Sequence, residues 1–320
     1  MFGVLLIAVF LLVAYLIASY VVYDTLSSVT GACHPSDADN TPERFSAAGV
    51  DAAVTDRLAM PAPQDVEFRS RDPNIANLVL RAWWIPGRTA DAPSVILVHG
   101  VDSCRRDPNV LMPAGMLHQH GFGVLLMDMR DHGDSDDEDL RFAAGTEEYL
   151  DVLGAWDWLV AQGVPTPRIG ILGMSFGAAT TIIAGGEEPR VAAVWEDSSF
   201  ADMGEAIHDY LDQQGYPTIL ETGGLVMAKL VAHDDLTSKG PLLEIPSYAG
   251  RTLAIVHGAA DTQLSPHYAE ELRDAALSSG VDLRVFWVVP GMDHTRAVIE
   301  MPDAYEARLV DFFTGTLGSP

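Results

Sequence analysis

An α/β fold, with a mostly parallel sheet covered by helices on both faces, is what this sequence predicts. Three observations carry the prediction. Six short, continuous apolar runs, at 95–98, 124–127, 169–172, 191–194, 253–256 and 285–289, have the length and uniform hydrophobicity of strands buried on both faces. Stretches of helical length lie between them, such as 146–161 and 266–278, and such alternation builds a sheet flanked by helices. Finally, the run at 169–172 leads straight into Gly173-Met174-Ser175-Phe176-Gly177 and the small residues 178–181, which reads as a strand, a tight turn and a helix.

The elements follow in order. Residues 2–23 carry no charge and are long enough to cross a bilayer as a helix. A secretory signal has a shorter apolar core and a basic start, so residues 1–23 are expected to form an uncleaved, single-pass transmembrane anchor. Thr30-Gly31-Ala32-Cys33 lacks the leucine of a lipoprotein cleavage box and lies past the apolar run. No Lys or Arg follows the span before Arg44, whereas Asp24, Asp37, Asp39 and Glu43 do, which places the following domain outside the cytoplasm. Residues 24–62 are polar and aperiodic and are expected to be a tether. Cys33 falls in that tether and Cys104 far from it, so two free thiols are expected. No cysteine or histidine cluster has zinc-ligand spacing, and no metal is expected.

Residues 63–320 are expected to form the globular domain, opening with an antiparallel pair at 66–69 and 78–84. The alternation breaks once, at about 201–246, where only helix-like segments at 203–211 and 219–231 occur; this reads as a small helical cap inserted between two sheet strands. With 48% hydrophobic residues the chain can bury a large core. Its formal net charge is −26, which disfavours nucleic acid and anionic lipid as partners. Either a solvated acidic surface or adaptation to high salt accounts for that charge.

Several motifs now fall into line: His99-Gly100, then 128–135 (Asp-Met-Arg-Asp-His-Gly-Asp-Ser), the pentapeptide at Ser175, His257-Gly258-Ala259-Ala260-Asp261, and Gly291-Met292-Asp293-His294. In this order the chain from about Val66 onward resembles the α/β-hydrolase superfamily, in particular its capped esterase and serine-aminopeptidase-like branch. One departure is Asp131, where that superfamily usually has glycine.

What the resemblance implies is a serine hydrolase without a cofactor. Ser175, at the nucleophile elbow, would attack; its hydroxyl needs a neighbouring base to become reactive. His294 is the candidate base, because it alone among the ten histidines combines a late position with a loop after the last strand. His99, His132 and His257 each precede a glycine in a turn and read as structural. Asp261 matches the usual acid position, and Asp197 is the alternative; Asp293, next to His294, is set aside. Backbone N–H groups of Val101 and Phe176 would form the oxyanion hole. Arg130 is expected to hold a buried ion pair rather than clamp substrate. The expected substrate is a small ester or short peptide. A carboxylic ester is the first reading, and a peptide cleaved by an aminopeptidase-like enzyme using Glu205, Asp209 or Asp212 to hold the amine is the second. A non-enzymatic binding protein on the same fold is the third. The anchor is expected to provide attachment and to contribute nothing to the site.

Overall fold

The strands expected from the apolar runs lie in one sheet. In the computed structural model, which describes residues 2–75 and 77–320, they are β1 (Gln64–Arg69), β2 (Val79–Ile85), β3 (Ser94–Val98), β4 (Gly123–Met127), β5 (Ile169–Met174), β6 (Ala193–Asp197), β7 (Thr252–Gly258) and β8 (Asp282–Val289). Met1, at the head of the expected anchor, and Ala76, inside the expected globular domain, lie outside the described residues. Spatial order is β1-β2-β4-β3-β5-β6-β7-β8. β1 pairs antiparallel with β2, and β2 with β4; every later pairing is parallel. The helices are α1 (Phe2–Ser27), α2 (Ala52–Leu58), α3 (Pro108–Gln119), α4 (Tyr149–Ala161), α5 (Phe176–Glu187), α6 (Met203–Gln213), α7 (Leu220–Val231), α8 (Pro241–Glu244), α9 (His267–Ser279), α10 (Ala297–Glu300) and α11 (Pro302–Leu317).

Strand periodicity divides the interior into two cores. On β3, Val95 and Leu97 face a core shared with Leu111 of α3 and Phe313 of α11. Ile96 and Val98 face the opposite core, with Trp156 of α4 and Ile182 of α5. Apolar continuity misplaces one strand. β6 begins at Ala193 and runs on through Glu196 and Asp197, which pair with Ile255 and Val256. These buried carboxylates break the apolar run, yet they are held: Oε2 of Glu196 accepts the Ser199 N–H (3.0 Å), and Asp197 accepts hydroxyls from Ser198 and Tyr305 (2.9 Å each).

The N-terminal region differs most from expectation. α1 continues four residues past Tyr23, because the charge of Asp24 that ends the apolar run is paired with Arg141 (2.7 Å). Residues 28–62 do not hang free; they form a strap over the domain, with Phe45, Leu58 and Met60 buried in the core beside α3. Their apolar residues are too widely spaced to show a period, so the sequence conceals the packing. The expectation of two free thiols is overturned as well: Cys33 and Cys104 form a disulfide, brought together because the strap crosses the loop after β3.

Between β6 and β7 the chain leaves the sheet as α6, α7 and α8. α7 packs against α1 at small residues. A Cβ on Gly223 would collide with the Ser19 side chain, and Tyr15 donates its hydroxyl to the Ile219 carbonyl (3.1 Å). Successive residues of α7 meet successive turns of α1, so the two helices run parallel here.

Candidate active site

Ser175 stands on the turn between β5 and α5 with φ of +56°, a left-handed conformation that a non-glycine residue adopts only where the surroundings enforce it. Its N–H is fixed by the Asp197 carbonyl (2.8 Å). The flanking glycines allow the close approach: a Cβ on Gly173 would run into the Gly177 carbonyl, and one on Gly177 into the carbonyls of Val98 and His99. Phe176 is the first residue of α5, so its N–H has no intrahelical acceptor.

The structure brings three of the expected residues into one hydrogen-bonded chain. Ser175 Oγ lies 2.7 Å from His294 Nε2, and His294 Nδ1 lies 2.7 Å from Asp261 Oδ2. With Nδ1 donating to the carboxylate, Nε2 is left as an acceptor for the serine proton. Asp261 is oriented in turn by the N–H groups of Gln263 (2.8 Å) and Leu264 (2.9 Å), both on Oδ1. Burial pushes the Asp261 carboxyl up, but the hydrogen bonds from His257 and His294 outweigh it and hold the group well below the usual carboxylate range. Asp197, the alternative acid, is occupied by Tyr305 and Ser198, and burial raises its carboxyl.

Two positioning residues were not recognised in the sequence. His257 Nε2 lies 3.2 Å from Asp261 Oδ2 and 3.0 Å from the Leu264 carbonyl, so Asp261 Oδ2 is shared by two imidazoles. Burial lowers the His257 ring, and the bonds to Asp261 and Leu264 more than restore it, leaving it raised. The i, i+4 spacing of His257 and Asp261 across a strand end was the available signal. Asp293 points away from the imidazole, as expected, but its Oδ1 accepts the N–H groups of Thr262 and His294 (2.8 Å each), tying the His294 loop to the Asp261 loop.

The remaining polar residues behave structurally. His99 donates Nδ1–H to the Gly100 carbonyl (2.7 Å) and accepts the Met129 N–H (3.1 Å); burial, then His132, push it down to about 3, so it stays neutral. Arg130 is buried among Asp151, Asp72, Glu138 and Glu147, turned away from the site. Asp131, in the position where glycine is usual, adopts φ of +61°, and its Oδ1 accepts the N–H groups of Glu138, Asp139 and Leu140. Those bonds offset the strain glycine would have avoided. Among the described residues, Glu205, His267 and Glu271 are one group whose carboxylate and imidazole atoms converge closely enough to hold a metal ion; they lie outside the cavity lining.

Ser175 and His294 open into a cavity of about 340 Å³, whose lining also includes Val101 and Phe176. α6 supplies one wall through Met203, Ala206, Ile207 and Tyr210, a single helical face at i, i+3, i+4 and i+7. Phe142, Phe200 and Leu264 add to an apolar surround. Leu26, in the last turn of α1, lines it too. Leu26 lies past the expected anchor, residues 1–23, in what was expected to be the tether; it reaches the site because α1 extends beyond its charged residue. Glu205, Asp209 and Asp212 are absent from this lining; Glu205 meets His267 (3.2 Å) and Asp209 meets Tyr268 (2.8 Å).

Comparison with known proteins agrees with this architecture. The model of the prolyl oligopeptidase family matches residues 113–320. A polyketide transferase of Aspergillus fumigatus is 34% identical over 137 residues, 41% of this chain and 43% of that protein. The chain spans about half the length of the curated relatives it matches. Among solved structures, an esterase of Pyrococcus furiosus aligns with a TM-score of 0.64 at 20% identity, covering 91% of this chain and all of that one (100%). An acylaminoacyl peptidase of Pyrococcus horikoshii aligns at 0.59 and 19% identity, over 81% of this chain and 42% of that one. Fold, elbow and family match converge: the chain is an α/β-hydrolase and belongs to the prolyl oligopeptidase family.

Proposed function

We propose that the chain is a serine hydrolase that cleaves carboxylic esters through an acyl-enzyme. The observation that carries this reading is the unbroken hydrogen-bond chain from Asp261 through His294 to Ser175 at the wall of an apolar cavity. Ser175 Oγ attacks the ester carbonyl carbon as its proton passes to His294 Nε2, and Asp261 stabilises the imidazolium. Negative charge on the substrate oxygen is met by the N–H groups of Val101 and Phe176. As the tetrahedral intermediate collapses, the carbon–oxygen bond to the alcohol breaks and the alcohol leaves with the proton from His294. Water, deprotonated by the same nitrogen, then releases the carboxylic acid and restores the serine.

A peptidase is the second reading, supported by the family match. The absence of Glu205, Asp209 and Asp212 from the cavity lining favours an ester, since no carboxylate in that lining offers to hold a substrate amine. A purely binding role is disfavoured because every member of the chain is in bonding contact. We read α1 as a single-pass membrane anchor, residues 28–62 as a strap and the rest as the catalytic domain with its cap. The Cys33–Cys104 disulfide supports a location outside the reducing cytoplasm.

A fluorophosphonate should label Ser175, and Ser175→Ala should lower ester turnover by roughly 10⁶ with the fold intact. Adducts on another serine, or better turnover of aminoacyl amides than of acyl esters, would overturn the assignment.

A further inference from the structure

The length of α1 conflicts with a cap held clear of the membrane. At about 1.5 Å per residue, a hydrocarbon layer of about 30 Å consumes roughly twenty residues of helix. Asp24, the first charge on α1, marks where the helix leaves that layer. Tyr15, whose hydroxyl holds the Ile219 carbonyl, lies nine residues before Asp24, roughly 13 Å below that level. Raising α1 until Tyr15 reaches the surface would leave the exposed apolar side chains of Leu16, Ile17 and Val21 in water.

The cap surface beside this joint fits immersion. Ile219 is 68% exposed, and Tyr216 and Val226 are exposed with it. Glu221, the acidic residue on the first turn of α7, is turned toward His208 (3.1 Å). Because α7 runs parallel to α1, its start, with Tyr216 and Ile219, reaches deepest. Continuity with α1 selects the bilayer as its occupant. The cavity reaches the same edge: its lining ends on α6 at Gln213 and Gln214, just before Tyr216, and includes Leu26 of α1.

Resting on the reading of α1 as an anchor and of Ser175 as an esterase nucleophile, we infer that the start of α7 is embedded in the bilayer surface and admits lipid-borne substrate directly to the cavity. Its substrate class is an acyl ester resident in the membrane. The net charge of −26 selects against an anionic headgroup, so the ester is neutral or zwitterionic.

The test uses the full chain in phosphatidylcholine vesicles. A phosphatidylcholine with a diazirine in its acyl chain should, on photolysis, mark residues 216–226 as well as α1. Tyr216→Asp and Ile219→Asp should each lower kcat/KM for a long-chain umbelliferyl ester in the bilayer by about tenfold or more, because a carboxylate resists immersion. Hydrolysis of water-soluble 4-nitrophenyl butyrate in the same vesicles should be unchanged, which also shows that the variants fold. Adducts confined to α1, equal loss on both substrates, no loss on either, or a dimer shielding 216–226 would each overturn the inference. Failure of its premises reads differently. Release of the wild type by high salt removes the anchor, and inertness of the wild type toward both esters removes the esterase while the adduct pattern still decides the depth of the cap.

Discussion

Replacing Asp261 by Asn tests the site at its most constrained point. Oδ1 of Asp261 accepts two backbone N–H groups, and Oδ2 faces the nitrogens of His257 and His294. An amide offers one acceptor and one donor, so one pair loses its acceptor whichever way Asn turns. Kept on the backbone side, the carbonyl leaves NH₂ against the two imidazoles. His294 then turns to the tautomer with its proton on Nε2, where it cannot accept from Ser175. Turned the other way, the amide leaves the Gln263 and Leu264 N–H groups unsatisfied, at about 1–3 kcal/mol each. The first orientation keeps both backbone bonds and is the one expected, so turnover should drop about 10⁴-fold; a loss of roughly 2–6 kcal/mol of stability with turnover retained would mark the second. Initial rates with a soluble ester and a denaturant titration of the same preparation measure both. Asp197→Asn, whose carboxylate serves Tyr305 and Ser198, should cost stability while sparing turnover by comparison. The reverse ranking of the two variants in turnover would refute the argument.

Two further outcomes follow from the N-terminal packing and from buried charge. A chain begun near Ala62 loses Phe45, Leu58 and Met60 from the core, and at about 1.5–3 kcal/mol per buried side chain that loss rivals the stability of a whole domain. Such a chain should fail to fold in a thermal melt, whereas one begun at Ser28 should melt cooperatively; two equal melts would show that the strap is dispensable. Burial, reinforced by Asp197 and partly offset by His257 and the Ser199 N–H, pushes Glu196 up to about 8 from its ordinary 4.5. A raised carboxyl contributes stability that is full below 4.5 and lost as pH rises through 8, at most roughly 5 kcal/mol. Glu196→Gln should flatten the decline in denaturation midpoint from pH 5 to pH 8.5; parallel profiles for variant and wild type would contradict the raised value.

The parallel part of the fold was legible because its strands are buried on both faces and their hydrophobicity is unbroken. β6 shows the limit: the rule follows it through Val194 and stops at Glu196, a carboxylate whose burial depends on partners that only the folded sheet supplies. Ser175 and His294 were legible from local punctuation, a glycine-flanked turn and a loop after the last strand. Leu26 and the disulfide were not. Both depend on how the segment before the sheet lies across it, and no local pattern encodes that path. Arg141 bonded to Asp24 is the contact that lets α1 run on past its first charge, and those residues are 117 positions apart.

The Cys33–Cys104 bond changes what a protease can reveal. Pro35, Ser36, Ala38 and Asp39 are exposed, and all four lie between the bonded cysteines. A cut there severs the backbone between α1 and the hydrolase domain, yet both fragments remain covalently joined. The nicked enzyme stays one particle on its membrane, and a non-reducing gel shows a single band. Adding a reductant separates the fragments on a denaturing gel, so cleavage from one side of a sealed vesicle becomes visible only under reducing conditions.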